Sequence, residues 1–193
     1  MKRPAPNFAA ALALVLILSG CGTSGTTTHT MDNPAADSQT PMLSSRGNIV
    51  KKVGEEAGIT GEDGKDVADW TVTGVNPNPT CSNPDHQQPE HGHFIEFDIT
   101  ATTTEKYDPA KYGSLDVGTA YRWQFIQKDG TQWNGMPGSM AAESCMTQTD
   151  KLPDSLNQGA KAQGKVIFDV PSLEGTLYYP QMGKADGWEY PLQ

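Results

Sequence analysis

Three of the chain's four histidines fall within nine residues, Asp85-His86-Gln87-Gln88-Pro89-Glu90-His91-Gly92-His93, together with two carboxylates. Imidazole and carboxylate at this density are ligand types for zinc or copper. If His91 and His93 open the strand suggested by the residues that follow, the two-residue period puts both imidazoles on one face. His86, folding back, would be the third ligand. Against this, the run contains Pro89 and Gly92, and no cysteine pair or distant acid is placed to complete a shell. A solvated loop is therefore the preferred reading, with a metal site at His86, His91 and His93 as the alternative.

The other reactive side chains specify no catalytic machinery. Gly138-Ser139 lacks the second glycine of a nucleophile elbow, and Gly58, Gly61 and Gly64 are spaced for turns and not for a phosphate loop. Glu62-Asp63-Gly64-Lys65-Asp66 lacks the alternating oxygen ligands of a calcium loop and reads as a connecting turn. Glu96 and Asp98 share a strand face, where solvated carboxylate pairs are common. Tyr178, Tyr179, Trp188 and Tyr190 could offer aromatic surface to a partner, but more simply close one end of a core. A binding module is expected, not an enzyme, with no cofactor apart from the zinc or copper alternative.

The N-terminus predicts where such a module works. Lys2 and Arg3 precede an unbroken apolar run from Phe8 to Leu18, the pattern of an export signal. About 11 apolar residues fall short of the ~20 needed to cross a bilayer as a helix. Leu18-Ser19-Gly20-Cys21 follows at once and resembles the lipobox of bacterial lipoproteins. The resemblance implies cleavage before Cys21 and a diacylglycerol thioether on its sulfur, and two acyl chains hold where one is marginal. Residues 1–20 are thus expected to be a signal peptide.

Residues 21–46, rich in Thr, Ser, Gly and Pro, are expected to form a flexible tether, with a reach of about 25 to 30 Å as a random coil. His29 within it reads as incidental. Residues 47–193 suit one domain. Without Lys2 and Arg3, 12 basic residues remain of 14 against 23 acidic, so the formal charge moves from −9 to −11. Nucleic acid is a poor partner for that surface. The expected partners are the membrane, through lipid on Cys21 at its extracytoplasmic face, and another envelope or extracellular protein.

With Cys21 committed to lipid, Cys81 and Cys145 remain as an even pair in an oxidising compartment, which predicts a disulfide. Both stand in loop-like contexts, so the bond should staple two long connections and leave the domain interior alone.

Wherever the body has a period, the period is two. Trp70 and Val72 share a face. So do Ile95, Phe97, Ile99 and Ala101, whose alternating partners should point to solvent. Tyr121, Trp123 and Phe125 line up, as do Val166, Phe168 and Val170. Shorter strands are predicted over 49–53, 132–133, 177–179 and 188–190, a hairpin turn at Asp129-Gly130, and at most a short helix within 136–146. Seven to nine short strands predict an all-β fold, two antiparallel sheets packed face to face.

The segments Trp70-Thr71-Val72-Thr73-Gly74-Val75, Gly92 to Thr100, Gly164-Lys165-Val166-Ile167-Phe168-Asp169-Val170-Pro171 and Leu177-Tyr178-Tyr179-Pro180, in that order, resemble the immunoprotective extracellular protein family. These are immunoglobulin-like exported antigens and relatives of unknown function. The likeness runs from about Ile49 to Leu192. It implies an immunoglobulin-like β-sandwich and carries over no catalytic residue. The lipobox departs from those members that leave the cell on an ordinary signal.

Overall fold

A computed structural model of the chain describes residues 41–182 and 184–192. The expected signal peptide, Cys21, His29 and the expected tether as far as residue 40 lie outside the described residues. Eight strands follow in the order β1 (Ile49–Val50), β2 (Glu56–Thr60), β3 (Asp66–Pro77), β4 (His93–Thr103), β5 (Gln124–Gln127), β6 (Lys161–Val170), β7 (Gly175–Pro180) and β8 (Gly187–Leu192). Two short helices interrupt them, α1 (Pro109–Tyr112) after β4 and α2 (Met140–Cys145) after β5. Among the described residues no helix is long and apolar enough to cross a membrane.

The strands form two four-stranded sheets, β1-β8-β7-β5 and β2-β3-β4-β6. Period-two alternation drives the assembly: Trp70 and Val72 of β3, Ile95, Phe97, Ile99 and Ala101 of β4, and Val166, Phe168 and Val170 of β6 are all buried, as their spacing predicts. Opposite them, Phe125 of β5, Leu177 and Tyr179 of β7, and Trp188 and Tyr190 of β8 complete an aromatic core. The rings meet edge to face, Trp70 on Trp188 at 4.5 Å and Phe97 on Phe168 at 5.1 Å. Polar ring atoms inside are satisfied: Trp70 Nε1 donates to the Tyr190 hydroxyl at 3.0 Å, and Trp123 Nε1 to the Val117 carbonyl at 3.1 Å. Tyr178, Tyr179, Trp188 and Tyr190 thus serve mainly the core; only Tyr178 is half exposed.

From β4 to β7 successive strands change sheets, β4 pairing β6 and β5 pairing β7, and β8 then stays beside β7. That is the order B, C, E, F, G of an immunoglobulin-like sandwich with strand D absent. All ladders are antiparallel except β1 with β8, which is parallel. The expectation of two purely antiparallel sheets is corrected there: β1 lies on the far side of the last strand and enters along it.

Other departures have local causes. Tyr121 does not line up with Trp123 and Phe125, because Ala120–Arg122 is a 3₁₀ turn that points Tyr121 outward. Strand β2 was not expected, since Gly58 lies between its inward residues Ala57 and Ile59. Gln132 makes an isolated bridge to Ile126 across the Asp129-Gly130 turn instead of a full strand. Gly130 there has φ +88°, as a tight hairpin requires. Residues 62–65 form the expected turn between β2 and β3, and Asp66 opens β3.

Residues 43–49 fold into a small hairpin whose turn is fastened to β8. Glu189, buried in that strand, accepts from Ser44 Oγ at 3.0 Å, Asn48 Nδ2 at 2.6 Å and Arg46, with Nε at 2.9 Å and Nη2 at 2.7 Å. Residues 41–46 had been expected to belong to the tether, but their polar side chains answer a buried carboxylate, so the sandwich begins earlier. Burial acts to raise the Glu189 carboxyl; the hydrogen bonds from Arg46, Asn48 and Ser44 and the charge of Arg46 outweigh it, leaving Glu189 below its ordinary value of 4.5. A depressed carboxyl contributes stability that is full above the unfolded value and lost as pH falls through the folded one. Thermal melting of the parent should therefore weaken more than that of Glu189→Gln as pH drops below about 4.5. Parallel pH profiles for the two proteins would refute the assignment.

Candidate functional site

The sheet β2-β3-β4-β6 carries an added layer that period-two reasoning does not foresee. Residues alternating with the inward set of β4 and β6 were expected to be solvated, yet Phe94, Glu96, Ile167 and Asp169 are buried. Phe94 and Ile167 form a second, smaller core with Ala141, Ala142, Cys145 and Met146, against which Cys81 packs. A platform thus sits on the outer face of β4 and β6. It consists of α2 and the long β3–β4 connection.

Helix α2 forms because Ser139 caps it, its Oγ accepting from Ala142 N at 3.0 Å, and because Ala141, Ala142 and Cys145 turn one face to the sheet. The Cys81–Cys145 disulfide joins α2 to the β3–β4 connection across a 64-residue separation, with Cα atoms 4.6 Å apart. As expected, it staples two connections outside the sandwich core. Around it, Asn83 Nδ2 donates to Ser144 O at 2.8 Å, Gln87 N to Ser144 Oγ at 2.9 Å and Ser82 Oγ to Asp150 at 2.6 Å. Hydrogen bonds from Ser82 and Thr147 hold the Asp150 carboxyl below its ordinary value.

Asp169 is the hub. Fully buried, its carboxylate accepts from Glu90 N at 2.7 Å, His91 N at 2.9 Å and Ser139 Oγ at 2.8 Å. Its backbone N–H donates to Pro137 O at 2.7 Å. One side chain therefore binds the histidine run to the segment ahead of α2. Glu90 returns the contact by accepting from Ala141 N at 3.1 Å.

The histidine run is consequently an ordered loop, neither a merely solvated one nor a gathering of imidazoles. Strand β4 starts at His93, and Gly92 at φ +126° interrupts the extended backbone before it, so the strand period does not reach His91. His91 lies edge-on to Trp133, ring centres 4.9 Å apart, with Nδ1 3.2 Å from the Asp169 carbonyl. His86 Nδ1 lies 2.9 Å from the Asn83 carbonyl. A carbonyl only accepts, so Nδ1 carries the proton in both. His86 and His91 are thus held by different partners, and His93 opens β4. Among the described residues no group of three or more His, Cys, Asp or Glu side chains could hold a metal ion. The three-imidazole alternative is corrected accordingly.

Ser139, Asp169 and His91 lie together, but in an order that does not make a nucleophile. The carboxylate stands between the hydroxyl and the imidazole, and the Ser139 oxygen also serves as helix cap. Two lysines near the platform are likewise paired: Lys165 Nζ lies 2.6 Å from Glu96 and 2.8 Å from Asp98, and Lys151 Nζ 2.9 Å from Glu143.

On and beside the platform, three large apolar side chains face outward. Met136 is 57% exposed, Met140 66% and Tyr121 41%. They flank one spot: the Tyr121 ring lies so close over Gly138 that a Cβ there would come within 2.6 Å of it. Burial, and then the charges of Glu143 and Glu90, raise the Tyr121 hydroxyl above its ordinary value, which places two acids at the rim. This patch is not evident from strand periodicity. Its signal was present in the spacing Met136-Pro137-Gly138-Ser139-Met140, two large apolar residues around a turn, but Tyr121 reaches it only through the fold.

No protein-family model matches the chain, and no curated protein matches it. Among solved structures, the crystal structure of MPT63, a secreted protein from Mycobacterium tuberculosis, is similar to it. The two share 17% identity at a TM-score of 0.45, over 75% of this chain and 97% of that one.

Proposed function

We propose that this chain is a lipid-anchored module on the extracytoplasmic face of a bacterial membrane, which binds another envelope or extracellular protein through the platform on β4 and β6. The observation that carries the binding reading is the pairing of exposure with rigidity. Met136 and Met140 are large, apolar and solvent-facing, on a segment held by a disulfide and a buried carboxylate, and the Tyr121 ring lies over Gly138 between them. Methionine and tyrosine are enriched at interface centres, and a fixed patch loses little entropy on docking. Exposed Glu90 at the rim suits a partner with a basic residue beside an apolar centre. Kinship with immunoglobulin-like exported antigens belongs to the same reading.

Anchoring rests on Leu18-Ser19-Gly20-Cys21 after the short apolar run. Radiolabelled palmitate should enter the wild-type protein and not Cys21→Ser, which should leave the membrane fraction. An unlabelled wild-type protein, or a Cys21→Ser form that stays with the membranes, overturns this part. For the patch, a photo-crosslinking residue at position 140 should yield a discrete adduct with one envelope protein, and the same residue at Lys128 none. Met136→Asp should abolish the adduct. Equal adducts from both positions would defeat the assignment.

A further inference from the structure

Strand β3 contains a bulge in its ladder with β4. From Ala68 to Val72 its even-numbered residues face the core, paired with Thr103, Ala101 and Ile99 of β4. The register then slips between Val72 and Gly74, so that Val75 pairs Phe97 and Pro77 pairs Ile95. Directly paired residues share a face, and Phe97 and Ile95 point inward, so beyond the bulge the odd-numbered Val75 and Pro77 face inward too.

Among the described residues, the opposite sheet leaves them partly uncovered. Strand β1 ends at Val50, and β2 pairs β3 no further than Thr71. Val75, on the inner face, is 39% exposed, and Val53, across from it, 53%. Between them runs a trough of about 510 Å³ with Phe97 and Tyr190 in its lining, both otherwise buried in the core. That volume lies in the range of small-molecule sites, roughly 300 to 1,000 Å³.

The polar equipment of the trough is one-sided. Its charged lining residues are Lys51 and Lys52, both cationic, on a chain whose formal charge is −9. Lys51 Nζ is turned toward the Glu56 carbonyl. The nearby Glu55 carboxylate accepts from the backbone N–H of Lys52 at 2.9 Å. A cationic rim on an apolar cleft is complementary to a molecule with one anionic head and one hydrocarbon body.

We propose that this trough binds a single-chain anionic amphiphile, a long-chain carboxylate whose alkyl chain lies over Phe97 and Tyr190 between Val53 and Val75 and whose head meets Lys51 and Lys52. The site lies in the seam of the sandwich, apart from the platform on β4 and β6. It stands or falls independently of the protein-binding reading.

The test is fluorescence titration of the purified full chain carrying Cys21→Ser, free of detergent, with cis-parinarate and with its methyl ester. The acid is expected to saturate at one per chain with micromolar affinity and to bind about tenfold tighter than the ester. In Lys51→Gln/Lys52→Gln the acid should lose that advantage while the ester is unchanged. Val75→Asp should weaken both ligands at least tenfold, and Val53→Asp, in an exposed connection, repeats the test if Val75→Asp fails to fold. Near-UV circular dichroism of the tryptophan core reports folding. The proposal is overturned by any of four results: no saturable binding up to 100 μM probe, binding unchanged in folded Val75→Asp or Val53→Asp, an acid no tighter than its ester, or a self-association that these variants abolish without any probe binding.

Discussion

Asp169→Ala should destabilise the protein by about 3 to 5 kcal/mol, the largest effect expected of any single polar substitution in it. The substitution leaves the N–H groups of Glu90 and His91 and the hydroxyl of Ser139 without their acceptor, all at the base of the platform. Each buried donor so stranded costs about 1 to 3 kcal/mol, less whatever water recovers by entering the site. For a domain of this size the midpoint should fall by roughly 10 °C. Asp169→Asn is the informative companion. Its amide keeps one oxygen for the donors but turns an N–H₂ toward the rest, so it should fall between the parent and the alanine form. Chemical denaturation of the three proteins checks the order; an alanine form within 1 kcal/mol of the parent would show that Asp169 does not hold the platform down.

Removing the disulfide, as Cys81→Ser/Cys145→Ser, is expected to cost about 4 kcal/mol on the chain-entropy account of a closed loop of this length. The distribution of that loss matters more than its size. The bond belongs to the small core with Phe94 and Ile167, separate from the cluster that holds Trp70, Phe97, Phe125 and Tyr190. Reduction should therefore loosen the platform before the sandwich. Proteolytic cleavage within residues 78–92 should rise while the near-UV signal of the buried tryptophans persists. Simultaneous loss of both would show that the two cores are one cooperative unit. The adduct from position 140 should disappear on reduction as well, because that patch depends on the staple for its shape.

How much of this was legible in the sequence follows from the range of the interactions. Ile95, Phe97, Ile99 and Ala101 announce β4 because burial on one face is written at every second position, and the same holds for Val166, Phe168 and Val170. The Cys81–Cys145 pair follows from counting thiols. Phe94, Glu96, Ile167 and Asp169 could not be placed, because period two says which residues share a face but not whether a second layer covers it. The function of Asp169 is illegible for a deeper reason: its partners are about 80 residues away at Glu90 and His91 and 30 away at Ser139. For the histidines, residue type suggested ligands, but one glycine at positive φ separated His91 from the strand that would have aligned it with His93. The bulge in β3 is similarly silent. Thr73 looks like an ordinary outward residue, yet it shifts the parity of all that follows in its strand.

The fastening of residues 44–48 to Glu189 has a mechanical side. Tension arriving from ahead of Met42 passes through the turn and its ionic lock into β8, a strand flanked on both sides, and so is shared across the sheet instead of unravelling an edge. The sheet is gripped at an inner strand and not at its rim.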